Sequence, residues 1–126
     1  MKTLRLLGIA LTLAIAAFAQ DISGTYSGPA KLEMPDGGQR EVNFTIVLKK
    51  DGEKLAVSAA PTTEGQIAAD KVERAGSSIK FEVTPPGDTA EPVKFDVKVD
   101  GGKIIGKMST IKRGQTVSGT VELVRQ

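Results

Sequence analysis

Apolar and polar residues alternate with a period of two along most of this chain. Between Arg40 and Lys49, the residues Val42, Phe44, Ile46 and Leu48 fall on one face, and Glu41, Asn43, Thr45, Val47 and Lys49 on the other. Asp51-Gly52 interrupts the run, and Leu55, Val57 and Ala59 resume it. Alternation broken by Asp-Gly predicts two antiparallel strands joined by a tight hairpin. Later segments repeat the pattern. Ile79, Phe81 and Val83 alternate with Lys80, Glu82 and Thr84. Val93, Phe95, Val97 and Val99 alternate with Lys94, Asp96, Lys98 and Asp100. Ile104, Gly106 and Met108 define a seventh strand, and Val117, Gly119, Val121 and Leu123 an eighth. A first strand runs from about Ile22 to Leu32. Gly24, Gly28 and Pro29 are poor strand residues and predict a bulge or a close backbone approach there.

Gln66 to Arg74 keeps a less regular period. Ala68 to Arg74 could form two helical turns, but Ala75-Gly76-Ser77 leads directly into the next strand, so a bulged strand is expected. The fold class is therefore all-β, an eight-stranded antiparallel up-and-down β-barrel. Without helical crossovers a parallel sheet is not expected. Closure into a barrel removes the two open edges of a meander; a β-sandwich is the alternative. Asp51-Gly52, Ala75-Gly76 and Asp100-Gly101 recur every 24 to 25 residues. Two strands per repeat put these three turns at one end, together with both ends of the folded chain. The longer connections at 34–40, 61–65 and 85–92, with the turn at 110–114, lie at the other.

The N-terminal residues do not fit the alternation. Lys2 and Arg5 precede an uncharged apolar run from Leu6 to Phe18, and Ala17-Phe18-Ala19 has the small-x-small form of a cleavage site. This predicts a signal-peptide helix over residues 1–19 and a single barrel domain over 20–126. A run of about 13 residues falls short of the roughly 20 that span a bilayer. The expected location is secreted or periplasmic, without membrane insertion after cleavage. Removing Lys2 and Arg5 leaves 15 basic side chains against 15 acidic ones, so net charge gives no attraction to nucleic acid.

Composition also restricts the chemistry. The chain has no cysteine, histidine or tryptophan, which removes disulfides, thiol and imidazole catalysis, and the usual zinc ligands. Glu41, Glu82, Asp96 and Glu122 alternate with core positions and are expected to face solvent. Asp36, Asp51, Asp88 and Asp100 stand at turns, where aspartate is a turn residue first. Lys94, Lys98, Lys103 and Lys107 could line one outer side near Lys112 and Arg113, but Asp96 and Asp100 interleave with them and no aromatic residue accompanies them, so a solvated face is expected. The protein is expected not to be an enzyme and to use no metal or other cofactor.

Gly24-Thr25-Tyr26-Ser27-Gly28, followed by an eight-strand meander with glycine hairpins, resembles the lipocalin and calycin group. It also resembles small secreted bacterial domains with a Gly-Thr-Trp-x-Gly start. Tyr26 stands where that motif has tryptophan, and the chain ends just after the eighth strand, where lipocalins continue into a helix. The resemblance implies a barrel that binds a small apolar ligand. An eight-stranded barrel has room for side chains or for one small ligand. On the residues alone, the inward faces make Tyr26, Val42, Phe44, Ile46, Phe81, Phe95 and Met108 the candidate ligand lining. The expected function is non-enzymatic binding of a small hydrophobic ligand or of an envelope or secreted partner protein. The alternative is a structural or interaction module of the cell envelope or matrix with a fully packed core.

Overall fold

The computed structural model describes residues 21–87 and 90–126. The signal peptide expected over residues 1–19 lies outside the described residues, as do Asp88 and Thr89 of the 85–92 loop. Nine strands follow in order: β1 (Gly24–Glu33), β2 (Gln39–Asp51), β3 (Lys54–Pro61), β4 (Ile67–Ala68), β5 (Asp70–Ala75), β6 (Ser78–Val83), β7 (Val93–Asp100), β8 (Lys103–Lys112) and β9 (Gln115–Arg125). They form one antiparallel sheet in the order β4-β3-β2-β1-β9-β8-β7-β6-β5. Among the described residues there is no helix.

β4 and β5 lie at opposite ends of that order, yet only Ala69 separates them in the chain. Ile67 and Ala68 pair with Ala59 and Ser58 of β3, and the Ala69 N–H donates to the Val57 carbonyl at 2.8 Å. From Asp70 onward the chain pairs with β6 instead. One short segment thus holds both edges of the sheet, which curls into a nearly closed barrel. The strand expected over 66–74 is present, but it changes partners midway and so counts as two. Leaving β3 for β6 requires a bend. The chain supplies it with a bulge between Asp70 and Glu73 and with Lys71 at φ 53°, a left-handed conformation unusual for a residue with a Cβ.

The repeated turns behave as their sequence implies. Asp51 pairs with Lys54, Ala75 with Ser78 and Asp100 with Lys103, so each hairpin has two central residues. Gly52 and Gly76 have positive φ at the first of them, and Gly101 and Gly102 at both. These are the backbone settings of the hairpin turns whose twist matches that of the flanking strands. The ends of the folded chain join these turns: Gly24 pairs with Leu48, and the Arg125 N–H donates to the Gly102 carbonyl at 2.8 Å.

The strong coiling depends on glycines at inward positions. A Cβ on Gly106 would stand 2.3 Å from the Asp96 carbonyl oxygen and 2.5 Å from the Val97 Cα. A Cβ on Gly28 would stand 2.4 Å from the Glu122 carbonyl oxygen, and one on Gly119 2.5 Å from that of Lys31. Glycine therefore lets neighbouring strands approach where the sheet folds over itself. At Gly28 this is the close approach expected from sequence. The β1–β9 register keeps the same offset from Tyr26–Arg125 to Ala30–Val121, so no residue is inserted beside Pro29.

Inside, one apolar cluster runs from Ile22 through Leu123. Each large member is worth roughly 1.5–3 kcal/mol when fully buried. At the tightly turned end, the buried Tyr26 hydroxyl donates to the Ile22 carbonyl at 2.8 Å and accepts from Arg125 Nη2 at 2.8 Å. The Arg125 guanidinium also lies 5.3 Å from the Tyr26 ring centroid. This arginine lies over that end of the barrel and helps keep the buried Tyr26 hydroxyl satisfied. Just before β1, hydrogen bonds from the Ser23 hydroxyl and N–H hold the Asp21 carboxyl below its ordinary value of 3.8.

Candidate functional site

The seven inward candidates all belong to the core or pack against it. Tyr26, Phe44, Ile46, Phe81, Phe95 and Met108 are buried members of the cluster, and Val42 is partly buried against it. Phe81 and Phe95 face each other across the β6–β7 pair and stack, with ring centroids 4.8 Å apart and planes 11° apart. Phe44 reaches Phe95 from β2, at 5.6 Å between centroids and 49° between planes. Strands β1, β9 and β8 lie between β2 and β7 in the sheet, so these rings come from opposite walls and meet in the middle. At that level the barrel is filled by its own side chains. Toward the loop-rich end, Leu32, Val42, Ile67 and Val93 are only partly buried against the core, an apolar collar near the connections at 34–40, 61–65 and 85–92.

A concavity lies on the outer face. It is an open groove of about 960 Å³ carried by β1 and β5–β9, with Gln39 of β2 also lining it. Phe81, Phe95 and Met108 border it, yet they are only 2%, 3% and 7% exposed. The side chains presented to solvent come from the alternate positions of the same strands, and strand register aligns them in two rows. One row reads Lys31, Thr120, Lys107, Asp96, Lys80, Glu73 across β1, β9, β8, β7, β6 and β5. The other reads Glu33, Ser118, Ser109, Lys94, Glu82, Asp70 across the same strands.

Directly opposed residues on one face of an antiparallel pair have Cβ atoms about 4.5–5.5 Å apart, close enough for charges to interact. Asp96 thus stands between Lys107 and Lys80, and Lys94 beside Glu82. Lys71 adds an ion pair to Glu82 at 3.6 Å. Long lysine stems lie along such a surface and keep their ammonium groups in water. The groove is consequently a mixed-charge surface with a hydroxyl-bearing middle. The outer face of β1–β3 differs: Ser27, Thr45 and Thr62 hydrogen-bond to one another at 2.9 and 3.0 Å, and Ser58 donates to Gln66 at 3.0 Å.

Of the outer lysines singled out from sequence, register brings Lys94 and Lys107 into the groove. Lys98 opposes Ile105, and Lys103 opposes Val124 and Asp100, so the four do not make a continuous stripe. Lys31, Lys80, Ser109, Ser118 and Thr120 escape sequence reasoning because their proximity is created by pairing between strands distant in the chain. The available signal was the polar half of each alternation, which marks them only as outward-facing. Among the described residues no group of three or more acidic side chains is placed to hold a metal ion. Comparison with family models, with curated proteins and with solved structures gives no match.

Proposed function

We propose that this domain is a non-enzymatic binding module, exported from the cytoplasm, that engages a partner protein through the outer groove of β1 and β5–β9. The observation that carries the reading is the position of the groove: its exposed side chains are charged and hydroxyl-bearing, and they stand on the outer face. A mixed-charge surface of this kind selects a partner with complementary charges and accelerates encounter. The barrel is lipocalin-like in outline, but a ligand held at its centre would need the space where Phe44 and Phe95 meet. Fold alone does not assign function, so the groove outweighs the resemblance.

A second reading has one observation in its favour. The partly buried collar of Leu32, Val42, Ile67 and Val93 could hold a small apolar molecule at the loop-rich end. One experiment separates the two. A protein captured from the extracytoplasmic fraction is purified, and its affinity is measured for the wild type, Lys80→Glu and Asp96→Lys. Each reversal is expected to weaken binding by about tenfold, near the 1.4 kcal/mol expected for one lost charge pairing. Unchanged affinity in both variants would overturn the groove reading. Saturable binding of a naphthalene-sulfonate probe, competed by fatty acid and lost in Val42→Lys, would favour the collar.

A further inference from the structure

Within the groove, six side chains from four adjacent strands form a compact block. Ser109 and Ser118 oppose each other directly, as do Lys107 and Thr120. Lys31 flanks Thr120 from β1, and Lys94 flanks Ser109 from β7. Four strands at about 4.8 Å spacing and two rows about 7 Å apart confine the six Cβ atoms to a patch of roughly 14 by 7 Å. Among the described residues, none of these six side chains makes a hydrogen bond or ion pair with another. The hydroxyls of the opposite outer face do the reverse and bond to one another. Three hydroxyl groups and three ammonium groups are thus gathered in one concavity with their hydrogen-bonding capacity unspent.

Three acids border the block, Glu33 beside Ser118, Asp96 beside Lys107 and Glu82 beside Lys94. Asp96 is shared with Lys80 and Glu82 with Lys71 on their other sides, and Glu33 lies at the far corner from Lys107 and Lys94. Thr120 therefore stands between Lys31 and Lys107, and Ser109 beside Lys94, so positive charge flanks two of the three hydroxyls. Serine and threonine hydroxyls can donate to an anion, and each ammonium offers three donors. A tetrahedral oxyanion accepts several such bonds at once, and charge-assisted bonds are the stronger kind.

We propose that Lys31, Lys94, Lys107, Ser109, Ser118 and Thr120 form a subsite for a phosphate-class oxyanion, free or carried as a phosphomonoester. The proposal rests on the reading of the outer groove as the binding surface and names the chemistry its centre would recognise. Because the site is open to solvent, affinity is moderate, with a dissociation constant on the order of 1 mM for the free anion.

The test is an amide chemical-shift titration of the folded domain with inorganic phosphate, and separately with glucose 6-phosphate, at constant ionic strength. Saturable shifts at Lys107, Ser109, Ser118 and Thr120 are expected. They should weaken about tenfold in a Lys31→Gln/Lys94→Gln/Lys107→Gln variant, as for the loss of charge-assisted bonds. Lys49→Gln/Lys98→Gln, which alters lysines outside the groove, should leave the titration unchanged. Tighter binding of the ester identifies a carried phosphate, and equal or tighter binding of the inorganic ion identifies the free one. Absence of saturation, shifts spread over all lysines, or equal affinity in the triple variant would each refute the subsite. Such a failure, with the partner still sensitive to Lys80→Glu, leaves the groove reading standing; loss of both removes it.

Discussion

Gly106→Ala tests the packing of the barrel wall most sharply. The added methyl would meet the Asp96 carbonyl oxygen at 2.3 Å, the Val97 Cα at 2.5 Å and Val97 Cγ1 at 2.8 Å. Ordinary contact begins near 3.4 Å, so β7 must move by roughly 1 Å relative to β8, and two of the three obstructing atoms are backbone. Overpacking of this kind costs about 1–3 kcal/mol, and each ladder hydrogen bond weakened by the shift adds about 0.5–1.5 kcal/mol. Alanine offsets about 0.4–1 kcal/mol by restricting the unfolded chain. The net expectation is a loss of about 2–3 kcal/mol. For a domain near 100 residues that corresponds to a fall in Tm of roughly 10–20 °C, read by urea and thermal unfolding followed by circular dichroism. Gly65→Ala is the control: nothing lies within 4 Å of its Cβ position, and its φ is not in the left-handed range. It should be neutral or stabilising by up to about 1 kcal/mol. Equal midpoints for Gly106→Ala and the wild type would refute the reasoning, because the strands would then have room that the structure denies them.

Three further outcomes follow from the same packing. Tyr26→Phe removes the hydroxyl that links Ile22 and Arg125 and should cost about 1–2 kcal/mol in urea unfolding. Phe95→Ala opens a void between Phe44 and Phe81. It should cost about 3–5 kcal/mol and give the interior a saturable site for a small apolar probe that the wild type lacks. Lys71→Gly should be close to neutral in thermal unfolding, within about 1 kcal/mol, because glycine also adds about 0.4–1 kcal/mol of freedom to the unfolded chain. Relief of a strained φ is worth about 1–2 kcal/mol, whereas the exposed ion pair to Glu82 contributes at most about 1 kcal/mol.

Most of the architecture is legible in the sequence because it is local. Alternation in Arg40–Lys49 and Val93–Asp100 assigns both the strand and its buried face, and Asp51-Gly52 and Asp100-Gly101 assign the turns. The β4–β5 switch is only half legible. The irregular period of Gln66–Arg74 signals a distorted strand, but the change of partner at Ala69 depends on where β3 and β6 lie in space. The inward face is legible as apolar, and its glycines admit two readings, spare volume or close approach. Gly106 and Gly119 take the second, since their missing Cβ atoms are replaced by neighbouring backbone. The groove is hardly legible at all. Lys31 and Lys107 are far apart in the chain and are brought to one row only because β1 pairs with β9.

The most direct measurement is the footprint of a purified partner on the isotopically labelled domain, mapped by cross-saturation of backbone amides. The expected footprint covers Lys31, Asp96, Lys107, Ser109 and Thr120, and leaves Ile46, Val42 and Ile67 unaffected. A footprint centred on Val42, Ile67 and Val93, with the outer positions of β7–β9 silent, would contradict the outer groove as the binding surface.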